Sequence, residues 1–295
     1  MYAIEIENLT KNYKKNRGIN NISLKINKGE IFGFVAPNGA GKSTTIRTLL
    51  GFIYKTSGRA RIFEKDIEKE SKDIKDILGY VPSEVKFYDD VKVKDIINYS
   101  ASFYKGISEK TIEKLCDIFE VEIDKKIGEL SLGNRKKVAL VQAFIHKPKL
   151  LILDEPTNGL DPLIQKRLFE YLIEEKKKGT TIFLSSHNLK EVENLCDRVA
   201  VIKGGDIVDV IDVNKLGNKK NVNVTISCDE ISEGLIKDLG GTNIVRLDNK
   251  LTFLYDKNIN DLISEVSKFN IKQILISEQS LEEIFMNYYK EEVEK

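Results

Sequence analysis

The stretch FGFVAPNGAGKSTTIRTLLGF, residues 32–52, holds Gly39, Gly41, Lys42 and Ser43 in the order of a loop built to hold phosphates. Glycines let successive backbone N–H groups face the anion, the lysine reaches the terminal phosphates, and the serine hydroxyl ligates Mg2+. The position where such loops open with glycine is Ala36. Alanine there costs little if φ is negative and about 1 kcal/mol or more if φ is positive, a region only glycine enters freely. Negative φ is expected, because the glycines that let backbone approach phosphate are the later two.

A second chemical group lies in KLLILDEPTNGLDP, residues 149–162, where an apolar run ends in Asp154 and Glu155. At the carboxyl edge of a parallel sheet this pair faces the ligand crevice. Asp154 is then placed to hold Mg2+ through water, and Glu155 to polarise an attacking water, general-base work worth ~10² to 10⁴ in rate. The bland alternative is a strand closed by helix-capping acids. In GELSLGNRKKVALVQAF, Ser131 and Gly133 precede an apolar stripe of Val138, Val141, Phe144 and Ile145. That loop is either an ordinary N-cap or another anion-ready helix terminus, and its NRKK segment reads as a solvated helix face. His187, in TTIFLSSHN, either reaches a terminal phosphate or is a plain polar loop residue. His146, before Pro148 at a helix end, reads as a partner of the helix dipole.

These groups need a scaffold, and the short apolar runs EIFGFV, LLIL, TIFLSS and RVAVIKGG supply the strands of one. Helix-like stretches separate them, so residues 1–215 read as α/β with a mostly parallel sheet. Between Val91 and Lys147 no strand pattern occurs, while Val93, Ile96, Ile97, Ala101 and Tyr104 keep helical spacing. A helical insert is expected there. The polar NKLGNKKN at 214–221 predicts a linker. Residues 222–295 then follow the order βαββαβ of the ferredoxin-like split motif, with a closing helix SLEEIFMNYYK. A small dimerisation or spacer unit fits that region as well as a ligand sensor does.

A chain of 295 residues suits one large domain plus a smaller one. With 47 Lys+Arg against 46 Asp+Glu it has no global field for polyanions, which argues against a nucleic-acid coat. Cys116, Cys196 and Cys228 are far apart and imply neither a metal site nor a disulfide framework. The start MYAIEIENLTKNY lacks a basic-then-apolar signal region. The longest apolar runs fall short of the ~20 residues of a membrane helix. Any membrane role is therefore expected to come through a partner.

The order PNGAGKST, LSLGN, LLILDE, GLD and SSH resembles the nucleotide-binding subunit of ATP-binding cassette (ABC) proteins over about the first 215 residues. The resemblance implies a P-loop NTPase cassette with a RecA-like parallel core, N-terminal antiparallel strands and a helical subdomain at about 91–147. It implies ATP and Mg2+ as cofactors, with Pro37, Asn38, Gly39, Ala40, Gly41, Lys42, Ser43 and Thr44 around the phosphates. Ser43 and Asp154 would serve the metal, and Glu155 would act as base. Tyr13 is carried over as the aromatic that stacks on adenine, worth ~1 to 3 kcal/mol. Ser131 and Gly133 would contact the γ-phosphate of ATP held by an opposing protomer. Asp161 matches a dimer-facing loop and His187 the γ-phosphate switch. Two ATP molecules would thus lie between two head-to-tail chains.

Two departures stand out. Leu132 and Asn134 replace Gly and Gln of the family signature, and Ser83 and Glu84 follow GYVP where the family usually has a glutamine that touches Mg2+ and passes motion to the membrane subunit. Glu84 either ligates Mg2+ or the lytic water, or faces solvent. The phrasing of residues 31–52, 130–149 and 280–289 resembles bacterial exporters of drugs, peptides and bacteriocins. The function expected is therefore an ATP-hydrolysing subunit that powers export through a separate membrane protein, at the cytoplasmic face of the cell membrane. The alternatives are a soluble ABC ATPase acting on DNA or ribosomes, and a regulator that binds ATP without turnover. A GTPase is disfavoured because no NKxD segment is present.

Overall fold

The computed structural model describes residues 1–13, 18–37, 39–215, 222–278 and 281–290. The chain divides into two compact units, Met1–Ile211 and Asp212–Lys295.

The first unit opens with β1 (Tyr2–Lys11) and β2 (Ile19–Asn27), paired antiparallel. Their inward residues Ile4, Ile6 and Leu9 meet Ile26, Leu24 and Ile22 in turn, all buried, which is the alternation of a sheet covered on one face. After β3 (Ile31–Val35) and α1 (Lys42–Leu49), the strands β4 (Ser57–Ile62) and β5 (Lys65–Asp66) join that sheet in the order β2-β1-β4-β5. These are the N-terminal antiparallel strands.

The chain continues through α2 (Ser71–Lys75) and β6 (Leu78–Val81) into three helices, α3 (Val93–Ser102), α4 (Glu109–Phe119) and α5 (Leu132–Phe144). They fill the segment in which the sequence lacks a strand pattern. Then follow β7 (Leu150–Asp154), α6 (Pro162–Lys177), β8 (Thr181–Ser186), α7 (Leu189–Leu195), β9 (Arg198–Lys203) and β10 (Asp206–Asp212).

The central sheet has the order β10-β9-β3-β8-β7-β6, with β9, β3, β8, β7 and β6 pairing in parallel. Every residue of β3, β7 and β8 is buried, so these strands are covered on both faces, and the polar residues Asp154, Ser185 and Ser186 lie at the carboxyl ends of β7 and β8. Phe183 of β8 lies 6.3 Å from Phe32 and 5.2 Å from Phe34 between ring centroids, and this contact locks the phosphate-loop strand to its neighbour.

Register fixes where the strands end. Val35 pairs with Ser186, Asp154 with Ser185, and Val81 with Leu153. The residues that follow each strand therefore leave from one edge, so Ala36, Glu155, His187 and Pro82 start there together. Asp161 caps α6 by accepting from the Ile164 N–H at 3.0 Å, with Pro162 at the first helical position, where its missing donor costs nothing.

The second unit runs β11 (Val222–Ser227), α8 (Glu233–Leu239), β12 (Thr242–Leu247), β13 (Lys250–Tyr255), α9 (Ile259–Val266), β14 (Gln273–Glu278) and α10 (Leu281–Lys290). Its antiparallel sheet has the order β12-β13-β11-β14, the ferredoxin-like arrangement of βαββαβ. Val224, Ile226, Leu251 and Phe253 form the buried side of the sheet, under Ile236, Leu262 and Val266 of the helices. Helix α8 begins at Glu233, where Ser232 caps it and accepts from the Leu235 N–H. Within the expected linker, residues 216–221 lie outside the described residues.

Candidate nucleotide and catalytic site

Strand β3 delivers the chain into the loop at Ala36. That alanine is buried in the core and is absent from the residues with positive φ, so it occupies ordinary backbone space. The glycines that do need freedom are Gly39 and Gly41, at φ 83° and 114°. At Gly41 a Cβ would also meet Ile19 Cγ2 at 2.8 Å, so the start of β2 presses directly on the loop. A Cβ on neighbouring Gly18 would lie 3.2 Å from Tyr13 Cε2, and Tyr13 itself is exposed. Asn38 lies outside the described residues.

Helix α1 starts at Gly41 with no side-chain cap and no acidic residue in its first turn. Its N–H groups and positive dipole end face the loop, the arrangement that favours a phosphate. Lys42 is only 6% exposed, and its ammonium donates to the carbonyl of Ala36 at 2.6 Å and that of Pro37 at 3.4 Å. Glu155 Oε1 stands 3.6 Å from the same nitrogen. The cation is thus held by the loop's own carbonyls and one carboxylate, ready to exchange them for phosphate oxygens. Pro37 is exposed, Ala40 packs on the core edge, and Thr44 is half-buried on α1.

Asp154, the last residue of β7, is buried and accepts from Ser43 Oγ at 3.3 Å and from the Ser185 hydroxyl. Glu155 follows with φ 48°, uncommon for a residue with a Cβ. Its N–H donates to the Ser185 carbonyl at 3.1 Å and the Ser185 hydroxyl at 3.2 Å, which holds the backbone in that conformation. The carboxylate is shared: one oxygen faces Lys42, and the other lies 3.2 Å from His187 Nδ1 and accepts from Asn158. His187 is 56% exposed on its side chain, so its ring can turn toward a ligand. The two ends of the site, Lys42 with Ser43 and Asp154 with Glu155 and His187, are therefore in direct contact.

The signature loop makes other contacts. Ser131 caps α5, accepting from the Asn134 N–H at 3.2 Å, and a Cβ on Gly133 would lie 2.2 Å from the Gly159 carbonyl. Gly133 is thus required by a close backbone approach within the same chain, beside the loop that carries Asp161. Glu84 faces solvent: its side chain is 82% exposed and lies 3.7 Å from Lys86. The structure does not bring it to Asp154.

Two sequence expectations are corrected. The NRKK segment is not a solvated face: Lys136 and Lys137 are buried, with Lys137 3.9 Å from Asp161 and Lys136 bonded to the Pro82 and Ser83 carbonyls. His146 does not cap a helix dipole as a cation. Its Nε2 bonds to Leu78 O at 3.2 Å, Tyr104 stacks on it at 3.9 Å, and burial lowers its pKa, which favours the neutral ring. Sequence reasoning also passed over Ser185 and Asn158, which orient the two acids. Ser185 could have been found only from the β7–β8 register.

Fold and site define a P-loop ATPase of the cassette type. The sequence profile of the ABC transporter family matches residues 19–158. The chain is 32% identical over 298 residues to the bacitracin transport ATP-binding protein of Bacillus licheniformis, covering 96% of each chain. It is 30% identical over 302 residues to the linearmycin resistance ATP-binding protein of Bacillus subtilis, covering 96% of this chain and 97% of that protein. A solved ATP-binding subunit of an ABC transporter superposes with a TM-score of 0.67 at 28% identity, over 73% of this chain and 92% of that one. The chain belongs to the ABC transporter family as an ATP-binding subunit, and it hydrolyses ATP.

Ala36→Gly is expected to leave ATP affinity within about twofold while stability falls by about 1 kcal/mol, since glycine loosens the unfolded chain and relieves no positive φ. Titration with a fluorescent nucleotide and urea unfolding check this. A tenfold gain in affinity would show that alanine strains the loop.

Proposed function

We propose that two copies of this chain close head to tail on two ATP molecules and so drive export through a separate membrane subunit. The observation that carries the catalytic half is the shared carboxylate of Glu155, set between Lys42 and His187 at the edge of the sheet. In the reaction a water attacks the γ-phosphorus, Glu155 accepts the proton that the water loses, and the bond to the ADP oxygen breaks. His187 holds the γ-phosphate side, Lys42 moves from the loop carbonyls to the phosphate oxygens, and the loop from Pro37 to Thr44 with its open helix end cradles the chain of phosphates. Tyr13 provides the face on which adenine stacks.

The donor set at Ser43 and Asp154, one hydroxyl and one carboxylate 3.3 Å apart, is made of hard oxygens and fits Mg2+. Bound there, Mg2+ neutralises charge on the transferred phosphoryl group. Glu84 faces solvent beside Lys86 and would join this donor set only if the loop after β6 carried it inward.

The dimer half rests on surface chemistry. Leu132 stands 78% exposed beside Ser131, on the same loop as Gly133, and Leu163 is exposed beside Asp161. Exposed apolar residues next to polar helix caps suit a surface that a second copy covers. There Ser131 and Gly133 would meet the ATP held by the partner, and Asp161 the partner's facing loop.

Among the described residues no helix is long and apolar enough to cross a membrane. Phe52, Tyr88, Tyr99 and Phe103 are a second group of exposed apolar residues, with the Tyr99 and Phe103 rings 5.0 Å apart. Next to it a cavity of about 390 Å³ is lined by Phe52, Tyr80, Phe103 and His146. We assign this surface to the membrane subunit, with the chain at the cytoplasmic face of the membrane. Relatives that act in bacitracin transport and linearmycin resistance favour export as the direction.

Three outcomes test these assignments. Glu155→Gln should lower ATP turnover by ~10² to 10⁴ and trap an ATP-bound dimer on size exclusion; a monomer in saturating ATP would count against the closed pair. Glu84→Ala should shift the Mg2+ concentration for half-maximal turnover, and an unaltered titration would remove Glu84 from the metal site. Purification of the chain from native membranes in mild detergent should bring a stoichiometric multi-span protein with it, whereas recovery with ribosomes or DNA would overturn the transporter assembly.

A further inference from the structure

Arg135, Lys136 and Lys137 follow directly on the signature loop, and each holds a different part of the site's edge. Arg135 lies 3.0 Å from Asp89, and Lys137 3.9 Å from Asp161. Among the described residues Lys136 has no carboxylate partner within salt-bridge distance. It is 2% exposed, and its ammonium donates to the carbonyl oxygens of Pro82 at 2.8 Å and Ser83 at 2.9 Å.

A lysine in this place works against local physics. Burial lowers its pKa to about 8, while the charges of Asp154 and Glu155 act in the opposite sense and favour the ammonium. The nearby N-terminus of α5 also disfavours a cation. A local rule broken in this way points to a tertiary role. The role is visible in the backbone: the β6 ladder ends at Val81, paired with Leu153, so the carbonyls of Pro82 and Ser83 lie just beyond the sheet. An ammonium has three donors on a flexible stem and can serve both carbonyls at once. The same register sets this turn beside Asp154, the residue after Leu153.

We propose that Lys136 is a positioning residue for hydrolysis: it clamps the Pro82–Ser83 turn to the signature helix, so that the turn, the signature and the Asp154–Glu155 edge keep one geometry. Arg135 provides the second tether of the same loop at Asp89, whose carbonyl also accepts from the Gly128 N–H at 2.9 Å. A displacement of residues 82–89 is then passed to the helix that begins at Leu132, without a direct contact between Glu84 and the nucleotide.

The test uses the full chain with Lys136→Met, which keeps length and removes the donors. Turnover and KM for ATP are measured beside amide hydrogen exchange. The expected result is a kcat at least tenfold lower with KM within twofold, together with at least tenfold faster exchange over residues 83–90 and unchanged exchange in α1. A kcat within twofold of the parent, or a lowered kcat with unchanged exchange over 83–90, overturns the assignment. If the Met variant does not fold, Lys136→Gln, whose shorter amide cannot reach both carbonyls, is read by the same two measurements and the same thresholds.

Discussion

The parallel register of β7 with β8 is the constraint on which the site depends. Asp154 lies opposite Ser185, and that single pairing gives Asp154 a hydroxyl donor and Glu155 two acceptors for its N–H. With its backbone so tied, Glu155 holds a left-handed conformation that a free loop would not retain. A slip of one residue would turn every side chain of β7 to the other face of the sheet and remove Asp154 from Ser43. The apolar rings of Phe32, Phe34 and Phe183 fix the neighbouring pairing of β3 with β8 from within the core.

Charge within the site is balanced without outside help. Lys42 is buried, and burial of an ammonium is costly unless polar groups replace its water. Two loop carbonyls and Glu155 do so, and Glu155 in turn is shared with His187 and Asn158. The groups proposed to act on phosphate are therefore already in contact with one another. A phosphate entering the loop competes with carbonyl oxygens for Lys42, an exchange between partners of like kind rather than the uncovering of a bare charge.

The signature region is bound to its surroundings as closely as the phosphate loop is. Gly133 touches the Gly159 carbonyl, Lys137 approaches Asp161, and Lys136 and Arg135 hold the two ends of the loop after β6. The exposed Leu132 faces away from these contacts. One short segment thus presents an apolar tip outward while its base joins three loops at the edge of the sheet, which relates the surface proposed for a partner to the residues proposed to carry chemistry.

Much of this was legible in the residues alone. The apolar runs of β3, β7 and β8 announce buried parallel strands, and the spacing of Val93, Ile96 and Ile97 announces helices, because burial on two faces or on one stripe leaves a periodic mark. Gly39, Gly41, Lys42, Ser43, Asp154, Glu155 and His187 could be named from type and order, since phosphate and metal chemistry admits few alternatives. Even the negative φ at Ala36 followed from which glycines the loop needs. What tertiary structure decided were the contacts between distant segments: Ser185 under Asp154, Gly159 against Gly133, and Lys136 buried where NRKK looked solvated. Glu84 also belongs here, since only the path of the loop turns it toward Lys86. These depend on register and on which helix packs over which loop. A run of charges carries the same composition whether it faces water or bonds two carbonyls in the interior, so only the fold could tell them apart.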